Sequence, residues 1–297
     1  MSLRDFSIFV LICLVWAFNT VAAKIVVTDM QVPPLFFGML RSAVIALAVL
    51  PWLLPMPRPY WRILVVGVLM GGGGFALFFV GLKTASPSAA SIVGQIGVPF
   101  ATLLSVLVLG ERIRWKRGLG IALTLTGVII VMFDPQGLDV SVGLIFVVAS
   151  AFGGAVGTIM LKQMEGIRPL RFQAWVGFSS TLLLVPLTAA FEQDHLAAAY
   201  QAGWPLVGLV LYSGLVVSVL GHTTYYGLIQ RYEANLIAPL TLMSPLMTIV
   251  LGIWITGDHF DMRMAIGTAL ALVGVFIIAV RPNRMMPRAV VIQNAPE

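Results

Sequence analysis

Long apolar runs make up most of the chain, and short gaps that hold most of its charged residues separate them. A membrane-spanning helix needs about 20 apolar residues to cross a hydrocarbon core of about 30 Å. A membrane-spanning strand would alternate in polarity over about 10 residues, whereas these runs are apolar on every face. We therefore predict ten transmembrane helices. They cover residues 6–26, 33–54, 61–82, 86–109, 114–133, 142–163, 169–191, 205–230, 234–256 and 262–280.

The ten runs are two copies of one unit of five. The clearest matching pairs are Gly81 and Gly227, Pro99 and Pro245, Gly110 and Gly257, Gly120 and Gly267, and Gly127 and Gly274. The spacing within a pair is first 146 and then 147 residues, which one inserted residue explains. The front ends match more faintly, since Ala17-Phe18 recurs as Ala151-Phe152. The repeat predicts a first unit over residues 1–136, a second over 137–282 and a tail over 283–297.

Composition places these units in a bilayer. Hydrophobic residues make up 59% of the chain, charged residues only 10%, and the mean hydropathy is +0.99, which leaves too few polar residues for a water-facing surface. The net charge of +6 does not indicate nucleic-acid binding, because the basic residues lie in the gaps between apolar runs. The single cysteine, Cys13, excludes an intrachain disulfide framework.

The distribution of Lys and Arg predicts the orientation. Fourteen of the 18 lie on the side of the N-terminus, whereas Lys24, Lys83 and Arg263 lie on the other side and Arg41 lies within a predicted helix. Cytoplasmic loops carry such an excess of basic residues, so we expect both termini in the cytoplasm. The first run, with Arg4 before it and Val21-Ala22-Ala23 near its end, also resembles a signal peptide. The recurrence of Ala17-Phe18 favours a retained helix.

An odd number of helices per copy inverts the second copy relative to the first. The basic stretch 111–117 and the acidic stretch 258–261 accordingly occupy matching positions on opposite sides of the membrane. Inverted repeats are typical of transporters that open alternately to either side. The alternative interpretation is that duplication serves stability alone.

Several short motifs in this chain resemble those of a known family. They are Trp16-Ala-Phe-Asn19 with Lys24, Arg41, and Gly110-Glu-Arg-Ile113 followed by Gly120 and Gly127. Over about residues 5 to 281 the chain resembles the EamA-type ten-helix exporters of the drug/metabolite transporter superfamily. The resemblance implies an exporter of amino acids or other small metabolites, with a central cavity between two five-helix halves. We also predict the bacterial inner membrane as the location and a monomer as the oligomeric state. The second copy departs from the motif, with Gly257-Asp-His-Phe260.

One pair of prolines disturbs matching helices, and one pair of polar residues precedes it. Pro99 and Pro245 each remove a backbone hydrogen bond and favour a kink. They are candidate hinges for a transport cycle, or alternatively fixed packing bends. Gln95 and Thr241 precede these prolines by four residues and lie on the same helical face one turn away. We expect both near the centre of the cavity.

Basic side chains in or near the membrane have two interpretations each. Arg41 lies roughly 12 Å deep by the helical rise of 1.5 Å per residue, and its counterpart in the second copy is Val176. It is a candidate for binding a substrate carboxylate, or a donor to carbonyls freed at a kinked helix. Lys24 and Lys83 lie at outer helix ends, where they extend towards water or form part of an exit vestibule.

Aromatic and polar side chains complete the predicted cavity wall. Trp16 lies near the midplane, away from the interfacial belt that tryptophan favours, and Asn19 lies one turn above it. Tyr225 and Tyr226 point about 100° apart, so we expect one of them to face the cavity. His222 is either a proton-coupling group or a neutral residue bonded to a neighbouring helix. Trp175 is either a cavity residue or part of the interfacial belt.

The position of the acidic residues favours a class of substrate. All twelve lie in loops, tails or helix ends, whereas a carrier of lipophilic cations would use a buried carboxylate. A neutral or zwitterionic solute fits better, and the aromatic residues favour amino acids with aromatic or large apolar side chains. A multidrug or other metabolite carrier is the alternative, followed by a channel. The sequence lacks a coherent catalytic constellation, so we predict no enzyme, no cofactor and no metal site.

Overall fold

The fold is a bundle of α-helices. The computed structural model describes residues 1–110, 115–134, 139–164, 166–232 and 234–280. Residues 111–113 of the family-like loop, and the predicted tail 283–297, lie outside these ranges. The described helices are α1 (Leu3–Thr28), α2 (Pro34–Ala48), α3 (Tyr60–Met70), α4 (Gly72–Leu82), α5 (Pro87–Val93), α6 (Gly97–Leu109), α7 (Trp115–Met132), α8 (Val142–Lys162), α9 (Pro169–Phe191), α10 (His195–Leu211), α11 (Thr223–Arg231), α12 (Ala234–Leu240), α13 (Met243–Leu251) and α14 (Met262–Ala279).

Shorter elements lie between these helices. They are 3-10 turns at Leu50–Trp52 and Gly94–Ile96, π-helical stretches at Tyr212–His222 and Gly252–Thr256, and the two-residue strands β1 (Phe133–Asp134) and β2 (Asp139–Val140), which pair antiparallel. The prediction of helices is confirmed, whereas the strand pair was not predicted. Among the described residues, eight helical segments are long and apolar enough to cross a membrane. Two shorter apolar segments, Pro34–Ala48 and Met243–Thr256, accompany them.

Prolines and glycines move several helix ends away from their predicted positions. The apolar run 33–54 stays α-helical only to Ala48, because prolines that cannot continue a helix follow it from Pro51 onward. Helical structure in the predicted 205–230 segment begins earlier, at His195, but the backbone leaves helical geometry at Gly203 (φ 59°, ψ −147°). The two repeat-related segments that precede α7 and α14 end at Gly110 (φ 67°) and Gly257 (φ 68°). This left-handed geometry explains why glycine recurs there.

Helices α7 and α14 pack against each other through glycines that the repeat relates. A Cβ atom added to Gly127 would lie 2.4 Å from the Gly267 carbonyl oxygen, and one added to Gly120 would lie 2.8 Å from the Gly274 carbonyl oxygen. An early residue of each helix therefore meets a late residue of the other, so the two helices run antiparallel. Glycine permits this approach because any side chain would hold the backbones apart.

The outer surface of the bundle carries many apolar side chains. Large hydrophobic side chains are exposed there, including Leu107 (79%), Leu182 (64%) and Trp254 (86%). An exposed apolar surface of this kind suits lipid rather than water. Buried side chains such as Phe37 and Phe79, whose ring centroids are 4.9 Å apart, fill the interior between the helices.

Candidate functional site

The main candidate site is a cavity of about 720 Å³ inside the helix bundle. A smaller cavity of about 290 Å³ adjoins it. The residues that line both cavities are Trp16, Thr20, Phe78, Gly94, Thr241 and Ser244. A space of this size fits a small metabolite.

Interrupted helices surround the cavity, and they form two pairs that the repeat relates. One pair comprises the break between α3 and α4 at Gly71 and the π-helical stretch Tyr212–His222. The other comprises the 3-10 turn Gly94–Ile96 and the turn between α12 and α13. Non-helical backbone at membrane depth is tolerated where it lines a cavity, and paired interruptions commonly mark the binding sites of transporters.

The two prolines directly follow one pair of interruptions. Pro99 is the third residue of α6 and Pro245 the third residue of α13. Neither can donate to the carbonyl four residues earlier, which belongs to Gln95 or Thr241. Each helix therefore restarts rather than continues, and Pro245 lines the smaller cavity. Whether the two interruptions act as hinges or as fixed bends stays a prediction.

Aromatic rings form one side of the cavity wall. The Trp16 ring centroid lies 5.2 Å from that of His222 and 5.0 Å from that of Tyr225, which it meets edge to face. All three residues line the larger cavity. The Trp16 indole Nε1 is buried without a hydrogen-bond partner. The structure thus brings together three of the predicted site residues in one aromatic cluster.

Polar side chains lie next to this cluster. Asn19 lines the larger cavity and is 6% exposed, and Thr20 donates to the Trp16 carbonyl oxygen at 3.3 Å. Gln95 lines the smaller cavity, where its Nε2 donates to the Ser91 carbonyl oxygen at 3.3 Å. Thr241 lies in both walls. The predicted polar residues therefore lie along one continuous space.

Trp175 and Tyr226 lie outside the walls of both cavities. The Trp175 indole donates to the Leu53 carbonyl oxygen at 2.9 Å, which ties α9 to the segment after α2. The Tyr226 ring packs edge to face on Phe172, with centroids 5.9 Å apart. One of the two adjacent tyrosines faces the larger cavity, and it is Tyr225.

Arg41 lies behind the cavity wall. It is 2% exposed, its Nη2 donates to Ser218 Oγ at 2.7 Å, and its guanidinium carbon lies 3.7 Å from the centre of the Phe75 ring. Phe75 lines the larger cavity, whereas Arg41 does not. The hydrogen bond goes to a serine hydroxyl rather than to a backbone carbonyl freed by a kink.

The larger cavity reaches one face of the membrane. Its wall includes Arg117 at the start of α7, Lys162 at the end of α8 and Ala279 at the end of α14, which all lie at the same end of the bundle.

Hydrogen bonds tie helix ends together at the opposite face. Asp258 accepts hydrogen bonds from Ser88 N (2.8 Å) and Ser88 Oγ (2.5 Å), and Lys24 Nζ donates to the Leu82 carbonyl oxygen at 2.7 Å. Lys24 and Lys83 lie outside the walls of the two cavities described above.

Some residues of the cavity wall were not predicted, although the register of the repeat pairs them with other wall residues. Extending the register from Ala17 and Ala151 pairs Trp16 with Ser150 and Thr20 with Gly154, and all four line the larger cavity. The same extension from Pro99 and Pro245 pairs Val98 with Ser244, which line it too. Phe75 and Phe78 carried no such signal.

Comparison with known proteins identifies the family. The model of the EamA-like transporter family matches residues 6–133 and 141–280. The chain belongs to this family. This EamA-like chain is therefore a multi-pass membrane transporter and not an enzyme.

Three curated relatives of this EamA-like transporter are named as efflux pumps or exporters. The chain is 26% identical to a probable amino-acid metabolite efflux pump of Salmonella typhimurium over 287 residues, 93% of this chain and 95% of the relative. It is 26% identical to the protein of the same name from Escherichia coli over the same shares. A probable terminal-alkyne amino-acid exporter of Streptantibioticus cattleyicolor is also 26% identical, over 91% of both chains.

A solved crystal structure has the same fold. It aligns with 93% of this chain and 96% of its own, at 17% identity and a TM-score of 0.56. At this identity the likeness concerns the fold alone.

Proposed function

We propose that this transporter exports amino acids, first of all those with aromatic or large apolar side chains, through the cavity at Trp16. The observation that carries the proposal is the composition of the wall. It combines the rings of Trp16, His222 and Tyr225 with the polar groups of Asn19 and Thr20, and its described residues include no acid. Rings offer surface for an apolar side chain, while amide and hydroxyl groups bond to an amino or carboxylate group. The names of the curated relatives support the same class of substrate.

Two inverted copies, over residues 1–136 and 137–282, form the proposed scaffold of ten transmembrane helices. The antiparallel contact of α7 with α14 supports it, because repeat-related glycines meet reciprocally there. Two separate matches to the family model, one in each copy, support it as well. A symmetric scaffold of this kind exchanges the conformations of its halves and so opens the cavity to either side.

The proposed orientation places both termini in the cytoplasm of a bacterial inner membrane, with the monomer as the transporting unit. The cytoplasmic position of the termini rests on the excess of Lys and Arg on the side of the N-terminus. With this orientation the open end of the cavity, at Arg117 and Lys162, faces the cytoplasm. The closed end, at Asp258 and Ser88, faces outward, so the molecule is inward-open. The proposed hinges are the interruptions before Pro99 and Pro245.

Counterflow in liposomes tests this function. Purified protein is reconstituted into vesicles that are loaded with unlabelled phenylalanine, and entry of labelled phenylalanine is compared with protein-free vesicles. We expect saturable counterflow that other large apolar amino acids inhibit, since one carrier site would serve them all. A panel with glycine, glutamate, lysine and a lipophilic cation defines the range of substrates. Absence of exchange across all amino acids would reject the proposal, exchange of the cation alone would favour a multidrug carrier, and non-saturable flux would favour a channel.

A further inference from the structure

Arg41 holds a positive charge inside the bundle, and no carboxylate of the described residues lies within 4.0 Å of it. The side chain is 2% exposed. A buried cation without a counter-ion is unfavourable, and ionisable residues at membrane depth commonly belong to functional sites. The described part of the protein therefore leaves this charge available for an anionic partner.

The hydrogen-bonding capacity of the guanidinium is only partly used. Nη2 donates to Ser218 Oγ at 2.7 Å, whereas Nε is buried without a partner. The Ser218 hydroxyl in turn donates to the Ser213 carbonyl oxygen at 2.8 Å, and the Ser213 hydroxyl is also buried without a partner. Both serines belong to the π-helical stretch Tyr212–His222, and such stretches are frequent at functional sites.

The Phe75 ring covers one face of the guanidinium and also belongs to the cavity wall. The Arg41 guanidinium carbon lies 3.7 Å from the centre of the Phe75 ring, and Phe75 lines the larger cavity. Phe75 lies in the first turn of α4, after Gly72–Gly74 and four residues beyond the break at Gly71. The Phe75 ring therefore connects the wall of the larger cavity to the buried guanidinium.

We propose that Arg41 binds the carboxylate of the transported solute after the Phe75 ring turns aside. This inference rests on the proposed function and narrows it to solutes that carry a free carboxylate. A guanidinium binds a carboxylate through two parallel hydrogen bonds along one edge, and the edge formed by the unpartnered Nε–H and an N–H of Nη2 provides such a pair of donors. A primary amide of the same shape lacks the charge and presents N–H groups to a guanidinium that accepts no hydrogen bond.

The test compares an acid with its amide in one protein at a time. Counterflow of labelled phenylalanine is inhibited with unlabelled phenylalanine or phenylalaninamide, in wild type and in Arg41→Gln, Arg41→Lys and, as a matched control, Arg58→Gln. We expect wild type and Arg58→Gln to prefer the acid at least tenfold. The ratio of inhibition by the acid to inhibition by the amide falls to about one in Arg41→Gln. It takes an intermediate value in Arg41→Lys, because lysine keeps the positive charge but lacks the paired N–H donors of a guanidinium.

The ratio of acid to amide separates recognition from folding. A purely structural Arg41 would lower inhibition by both compounds together and leave their ratio unchanged, which would overturn the inference. Equal inhibition by acid and amide in wild type would overturn it as well, while the export of amino acids would stand. If Arg41→Gln does not fold, Arg41→Lys decides by the same ratio. Wild-type vesicles without any amino-acid counterflow would reject the proposed function, and this inference with it.

Discussion

Replacing Gly127 by leucine is expected to remove most of the folded transporter. A Cβ atom at this position would lie 2.4 Å from the Gly267 carbonyl oxygen and 2.5 Å from the Ala271 amide nitrogen. These are backbone atoms, so no side chain can turn away and α7 must separate from α14. We expect a loss of at least ~3 kcal/mol, the upper end of ordinary overpacking. Fluorescence-detected size-exclusion chromatography of detergent-solubilised protein measures the folded fraction.

Gly118 in the same helix provides the matched control. A Cβ atom added there meets nothing within 4 Å, and the residue is exposed. Gly118→Leu is expected to stay within about 1 kcal/mol of wild type, since helix propensity alone changes. A folded fraction of Gly127→Leu equal to that of Gly118→Leu would contradict the close packing of α7 on α14.

Replacing Trp16 by alanine is expected to reduce transport more than any other change in the cavity wall. Its ring contacts those of His222 and Tyr225, and it lines both cavities. Truncation of a central aromatic anchor commonly costs about 2 kcal/mol or more, roughly 30-fold in affinity. We therefore expect the half-saturation concentration for phenylalanine counterflow to rise roughly 30-fold or more. Trp16→Phe keeps an aromatic ring and retains part of the affinity.

Trp254→Ala serves as the control for this substitution. Trp254 is 86% exposed on the outer surface and lines neither cavity. Its replacement removes an indole of the same size without touching the proposed site, so counterflow per folded protein stays near that of wild type. Counterflow by Trp16→Ala that matches Trp254→Ala would remove Trp16 from the site.

Helices were predictable because their signal is long and repeated. Each apolar run is long enough to outweigh local propensity, and turn residues bound the runs. The interruptions were only partly predictable. Pro99 and Pro245 indicate one pair of interruptions in the sequence. Gly71 is followed by three further glycines, so the sequence does not mark it as the position of the break. The π-helical stretch at Tyr212–His222 contains no proline. Tertiary contacts, such as that of Ser218 with Arg41, accompany the stretch and are invisible in a local window.

The candidate site was hard to predict mainly because the sequence does not reveal in which direction each side chain points. Depth and polarity place a residue within the bilayer, but a helix rotated by about 100° presents its neighbour instead. Asn19, Trp16 and Tyr225 line the cavity, whereas Trp175 and Tyr226 of comparable chemistry pack between helices. Arg41 illustrates the same limit, since it stacks on Phe75, which lines the cavity, while Arg41 itself does not. The repeat register carried more information than residue type, as Ser150 and Ser244 demonstrate.

Cysteine mapping of two matching connectors tests the inverted repeat most directly. Cys13, the only cysteine, is replaced by alanine, and a cysteine is introduced at the exposed position Arg58, between α2 and α3, or Asp194, between α9 and α10. Intact cells are treated with a membrane-impermeant maleimide before and after permeabilisation. The inverted arrangement predicts that position 194 reacts in intact cells, whereas position 58 reacts only after permeabilisation. Reaction of both positions from the same side of the membrane would contradict two inverted copies.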